Sequence, residues 1–195
     1  MKKLILSLTF VLVFAFSAFA QSTEWEIDFS HTNIGFTISH LVISDVTGRF
    51  QEYSGSVKSS GEEFEGAQVD ITIKTASIFT DNEKRDDHLR SDDFFNAEKN
   101  PSITFKSKSF KKSAENKYKI TGDFTMNGVT REVVLDADLK GIIKDPWGGT
   151  RAGFKASTTI DRYDYNLTYN TALETGGFLI GKEVEIEINI QLKKK

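Results

Sequence analysis

The chain has 195 residues with 25 Lys and Arg against 28 Asp and Glu, a formal net charge of −3, and no Cys. That balance argues against nucleic acid or an anionic membrane surface as the main partner. The absence of Cys excludes disulfides and a Cys-linked lipid anchor.

Residues Met1 to Ala20 read as a cleaved secretory signal. Lys2 and Lys3 form its basic start, Leu4 to Phe19 its apolar run, and Ala18-Phe19-Ala20 an A-x-A cleavage site. The run is too short for a comfortable membrane span, and no second one follows. The mature chain is therefore expected to begin at Gln21, to be periplasmic or secreted, and to lack an integral membrane segment. Residues 21–195 suffice for one domain with a real core, carrying 23 basic residues against 28 acidic ones.

Most of the mature chain alternates apolar and polar residues, the pattern of half-buried strands. The first strand is predicted from about Thr23 to His40, with Ile34, Phe36, Ile38 and His40 on one face. A second runs from Gly48 and Phe50 through Tyr53, Gly55 and Val57 to a turn at Ser59-Ser60-Gly61. Val69, Ile71 and Ile73 make the inner face of the third. The alternation then stops. Ser77 to Phe105 is charged and helix-like: Thr80 or Asp81 can cap one helix and Ser91 a second, before Pro101 returns the chain to strand. Leu89, Phe94 and Phe95 need a surface to lie against, so this stretch reads as a lid across one end of a β structure.

Ile103 and Phe105 resume the alternation, and Lys111 to Asn116 reads as a polar loop. Tyr118, Ile120, Gly122, Phe124 and Met126 follow. Asn127-Gly128 signals a type I′ hairpin turn. Val133, Leu135, Ala137 and Leu139 return to a turn at Asp145 to Gly149. Ala152, Phe154, Ala156 and Ile160 make a seventh strand. Residues 162 to 180 lose the rhythm, and Val184 to Leu192 is a nearly ideal last strand.

Clean alternation gives one dry and one wet face, hence an antiparallel sheet. The expected fold is all-β: an elongated, eight-stranded antiparallel barrel with a short helical lid between strands 3 and 4. Glycines at 35, 55, 122, 141 and 153 suit strands that bend to close. A sandwich is the alternative.

No catalytic or metal constellation stands out. His31 and His40 have opposite parity and lie roughly 30 Å apart on a continuous strand. Adding His88 to either gives two ligands, short of the three a zinc site needs. No nucleophile elbow and no phosphate-binding Gly loop is present. Asp86/Asp87 and Asp92/Asp93 are adjacent, so they diverge on a helix and read as solvating charges. No metal or cofactor is expected, and the chain is not expected to be an enzyme.

What remains is the apolar face. His31-Thr32, Ile34, Phe36, His40, Gly48 and Phe50 form one block. Thr80, Arg85, Asp86, His88, Leu89, Ser91, Asp93, Phe94, Phe95, Pro101, Ile103, Phe105 and Ser107 form a second. Gly122, Phe124, Thr125, Gly128 and Thr130 form a third, and Gly181-Lys182-Glu183-Val184 precedes the final strand. In this order and spacing the chain resembles the YceI-like family of secreted polyisoprenoid-binding proteins over essentially its whole mature length. Thr32 stands where the family usually has Ser, and Asn166 where many members have Gly.

The resemblance implies a lipocalin-like barrel that carries a long isoprenoid, quinone or fatty chain in its lumen. The expected lumen residues are Ile34, Phe36, Ile38, Phe50, Ile71, Ile73, Phe105, Phe124, Met126, Leu135 and Phe154. His40, Arg85, His88, Phe94 and Phe95 are the expected head-group and lid residues. The expected partner is the lipid itself, with a homodimer left open. Each isoprene unit contributes roughly 3–4 kcal/mol of gross hydrophobic free energy, and micromolar binding needs about 8 net. Several units must therefore enter, which a long barrel permits. Two rivals stand: an enzyme on a hydrophobic exported substrate with His88 as base, and an interaction module whose barrel is solid core.

Overall fold

The structure, a computed structural model, describes residues 22–174 and 176–195. The signal peptide and the cleavage point before Gln21 lie outside the described residues.

Eleven strand segments run antiparallel in one sheet: β1 (Ser22–Ile27), β2 (Asn33–His40), β3 (Ser44–Phe50), β4 (Tyr53–Ser60), β5 (Glu63–Lys74), β6 (Ile78–Phe79), β7 (Ser102–Ala114), β8 (Lys117–Met126), β9 (Val129–Lys144), β10 (Thr150–Asp161) and β11 (Ile180–Lys194). They make eight barrel strands. β1 and β2 are one strand broken by a 3-10 turn at Phe29–His31, β3 and β4 one strand broken at Gln51-Glu52, and β6 is a two-residue addition to β3. β1 closes the ring by pairing with β4 on one side and β11 on the other.

The first strand is thus not continuous from Thr23 to His40 as its alternation suggested. Asp28 caps the turn, accepting from the Ser30 N–H at 3.1 Å and facing His31 Nδ1 at 3.2 Å. A short polar side chain that hydrogen-bonds the backbone ahead of it competes with strand at that point. The Lys111 to Asn116 loop is also corrected. β7 runs on to Ala114, because a register shift between Ser107 and Ser109 changes which residues face inward.

Turn chemistry behaves as the residue types require. Asn127 and Gly128 sit at φ 49° and 74°, the left-handed pair of a type I′ hairpin. Asp145 Oδ1 accepts from the Trp147 and Gly149 N–H groups at 3.0 and 2.8 Å and so builds the turn after β9. Asn166 holds φ 59°, the conformation a Gly would take, so its side chain is compatible with the bend after β10.

The helix α1 (Glu83–Arg90) lies between β6 and β7. Its N-cap is Asn82, not Thr80 or Asp81: Asn82 Oδ1 accepts from the Arg85 N–H at 3.0 Å. Ser91 starts no second helix. It ends this one, its N–H and Oγ both donating to His88 O. Thr80 has another use. Its N–H and hydroxyl donate to Asp86 Oδ1 at 2.8 and 2.6 Å, and its Oγ1 accepts from Arg85 Nε at 2.7 Å. Asp86 is 2 % exposed. It is therefore not a solvating charge but a buried carboxylate whose partners fix the start of α1 to the strand before it.

No described helix is long and apolar enough to cross a membrane.

Candidate functional site

The barrel interior is filled at one end and hollow at the other. At the filled end Trp25, Phe64, Phe110, Tyr118 and Phe154 pack as one aromatic cluster. Phe64 lies 5.2 Å from Trp25 and 4.8 Å from Phe154, centroid to centroid. Trp25 is fully buried, and its indole N–H donates to Ser59 Oγ at 2.8 Å, so the polar edge is satisfied.

Above this floor opens a cavity of about 380 Å³. β11 shows the change along one strand. Leu192 is 2 % exposed at the floor, while the inward Ile190, Ile188, Ile186 and Val184 remain only half-buried. Inward apolar side chains that keep accessible surface mark a hollow rather than a packed core. The cavity wall reaches from Leu192 to Ile180. Those residues cover roughly 40 Å of strand, or about 30 Å along the axis of a tilted barrel. The hollow is therefore long.

All sixteen residues singled out from the sequence lie on this wall. Ile34, Phe36, Ile38, Phe50, Ile71, Ile73, Phe105, Phe124, Met126, Leu135 and Phe154 line its length, and His40, Arg85, His88, Phe94 and Phe95 belong to it at the α1 end. Glycines let the rings lie flat against the wall. A Cβ on Gly48 would sit 2.4 Å from the Phe36 ring, and one on Gly122 would sit 2.6 Å from that of Phe105.

The polar end is framed by three segments. The α1 stretch, the Asn127-Gly128 turn and the chain after β10 are tied together by Asn100 and Asn127. Asn100 Nδ2 donates to Asn127 Oδ1 at 2.7 Å, and Asn127 Nδ2 to Tyr165 O at 3.1 Å. His88 pairs with Asp93 at 2.8 Å and meets Phe94 and Tyr169 edge-on, each centroid 5.0 Å away. No Ser, Thr or Tyr hydroxyl hydrogen-bonds the His88 ring among the described residues, so no activated nucleophile accompanies the His–Asp pair. His31 stands apart on its turn, paired with Asp28. No group of three or more His, Asp or Glu is placed to hold a metal ion among the described residues.

Several wall residues escaped the sequence reading: Phe64, Phe110, Tyr53, Arg162, Leu167 and Tyr169. Tyr53 donates from its hydroxyl to Thr32 O at 2.8 Å, and burial pushes its phenol above the usual range. Arg162 is 3 % exposed, and burial pulls its guanidinium down from its ordinary value. It follows Ala156, Thr158 and Ile160 at the two-residue spacing of β10, a continued parity that could have hinted at it.

Comparison with known proteins places this geometry. The YceI-like domain matches residues 25–192. UPF0312 protein plu2095 of Photorhabdus laumondii is 46% identical over 169 residues, which are 86% of this chain and 88% of that protein. The crystal structure of a Campylobacter jejuni YceI protein superposes with a TM-score of 0.71 at 36% identity, covering 80% of this chain and 90% of that one. A polyisoprenoid binding domain from Saccharophagus degradans shares the fold, with a TM-score of 0.65 at 14% identity over 88% of this chain and 98% of its own. With a closed barrel, a matching domain over nearly all the described residues and a relative of this similarity, the chain belongs to the YceI-like family.

Proposed function

We propose that this protein binds and carries one long-chain apolar lipid, an isoprenoid, quinone or fatty chain, in the barrel lumen. The observation that carries the reading is the cavity itself: about 380 Å³, apolar along most of its length, ending on the aromatic floor and with its Arg and His residues gathered toward the α1 end. This volume lies within the range of small-molecule sites, roughly 300–1,000 Å³. Its length favours a flexible chain over a compact ring system. The Saccharophagus domain, described as polyisoprenoid binding, supports the reading. The α1 stretch serves as the lid over the polar end, and the signal-like N-terminus supports a carrier working outside the cytoplasm.

A void of this size disfavours the solid-core interaction module. The enzymatic alternative draws on the His88–Asp93 pair alone. In that case His88→Ala would abolish turnover while keeping lipid binding.

The test is thermal. A ligand that binds only the folded state, at a hundred times its Kd, stabilises by about 2.7 kcal/mol. For a domain of this size that raises Tm by about 5–11 °C. A graded series of polyprenols, quinones and fatty acids is expected to include chains that give such a shift. No shift with any chain class would overturn the proposal.

A further inference from the structure

The turn between β2 and β3 is built from unusual residues for its shape. Leu41 and Val42 take φ 54° and 66°, the left-handed region that Gly, Asn and Asp fill at ordinary turns. This backbone holds apolar side chains out in water. Val42 and Ile43 are 73 % and 86 % exposed, and Phe178, on the segment leading into β11, is 57 % exposed. The two segments lie together. The Leu41 N–H donates to Leu179 O at 2.9 Å, and a Cβ on Gly177 would sit 3.4 Å from Val42 Cγ2. Leu41, Val42, Ile43 and Phe178 thus form one protruding apolar tip.

The tip adjoins the end of the cavity. His40, Leu179 and Ile180, which flank it, belong to the cavity wall at the end away from the aromatic floor. Residues 40–48 and 166–181 hold no Lys or Arg and two acids, Asp45 and Glu174. An anionic surface is therefore not what the tip meets. Its exposed apolar area is on the order of 400 Å², about half of what each partner buries in a stable protein interface, so a protein partner or a second copy is poorly matched. Protruding aliphatic and aromatic side chains beside a long apolar hollow instead suit insertion among acyl chains.

We propose that this tip is a membrane-docking surface: Leu41, Val42, Ile43 and Phe178 insert into the interface of a bilayer with zwitterionic head groups and set the adjoining end of the cavity against the leaflet. The proposal rests on the carrier reading and adds where the guest enters and leaves. A long apolar chain is buried in the bilayer and buried in the barrel, and water between the two opposes its passage. Docking the tip removes that water. The opposite end of the barrel offers a comparison. Trp147 is 85 % exposed on the turn between β9 and β10, and this turn lies at the floor end, where Ala152 stands opposite Leu192.

The test is flotation with dioleoylphosphatidylcholine vesicles, using the protein as purified after export. The unaltered protein is expected to float with the vesicles, its partition coefficient changing less than about twofold between roughly 50 mM and 500 mM salt. Val42→Asp combined with Ile43→Asp is expected to lower that coefficient by about tenfold or more. Asp tolerates the left-handed backbone at position 42, and an unchanged Tm checks the fold. Phe178→Ser, on the other segment, is expected to lower the coefficient severalfold and decides if the double variant fails to fold. Trp147→Ala, at the far end, is expected to leave it within about twofold. No flotation of the unaltered protein, flotation that collapses with salt, or flotation that the tip variants keep overturns the proposal. A dimer that the double variant dissociates also overturns it, because the occupant of the tip would then be a second copy. In each case a Tm shift with added lipid in vesicle-free solution leaves the carrier reading standing, and the absence of a shift with any chain class overturns that reading separately.

Discussion

Phe64 meets Phe154 edge-to-face, ring centroids 4.8 Å apart, and this pair closes the blind end of the cavity. Phe64 is fully buried and touches the Trp25 and Phe110 rings as well. Truncation to Ala removes the floor. Phe64→Ala is expected to cost about 3–5 kcal/mol of stability, measured by urea unfolding. It is also expected to move the preferred chain length upward, because the hollow extends toward Trp25. An unchanged preference would show that guests do not reach the floor.

The Thr80–Asp86 contact predicts a second outcome. Both residues are buried, at 3 % and 2 % exposure. Thr80→Val keeps the shape but leaves the Asp86 carboxylate without its 2.6 Å hydroxyl donor and Arg85 Nε without its acceptor, while Arg85 Nη2 keeps the Thr80 carbonyl. The loss is expected to be about 1–3 kcal/mol. Thr80→Ser, which keeps the hydroxyl, is expected to lose much less. Equal losses in the two variants would assign the effect to packing instead.

The β2–β3 turn carries a local strain that is open to relief. Val42 is 73% exposed and sits at φ 66°, a region disfavoured for a β-branched residue. Val42→Gly is expected to raise stability by up to about 1 kcal/mol, read as a higher urea midpoint at constant slope.

At the filled end Arg151 links two carboxylates, Asp28 and Asp145. Burial alone would push Asp28 up, but hydrogen bonds from His31 and Arg151 outweigh it and hold it below its ordinary value. The Arg151 hydrogen bond holds Asp145 low as well. A carboxylate with a depressed native pKa stabilises the fold above its unfolded value, near 3.9, and loses that contribution as pH falls through the native value. Tm is therefore expected to fall more steeply below about pH 4 in the unaltered protein than in Arg151→Met. Parallel acid profiles would remove this triad from the account of acid stability.

How much of this was legible in the sequence depends on the bulges. Between bulges, alternation placed inward residues correctly, as at Ile34, Phe36 and Ile38 or along β11 from Val184 to Leu192. Past a bulge the parity flips. Gly66, at φ 74°, lets Phe64 and Ala67 both turn inward although they are three residues apart. The shift between Ser107 and Ser109 likewise brings Phe110 inward, five residues after Phe105. Phe64 and Phe110 of the floor were invisible for that reason, although Tyr118 and Phe154 were not. Local turn chemistry was legible wherever a residue type dictates it, as at Asn127-Gly128 and Asp145. Leu167 and Tyr169 come from a segment without period, and only its return across the barrel end brings them beside α1 and β2. Thr80 was read as a cap because hydroxyls cap helices, but the longer-range pairing with Asp86 took it.

The most direct measurement of the central claim is native mass spectrometry of the protein purified gently from its own host, with the bound material then extracted and identified. The account expects a mass excess that releases a single long-chain lipid. A barrel that is consistently empty under conditions that preserve lipid complexes would contradict it.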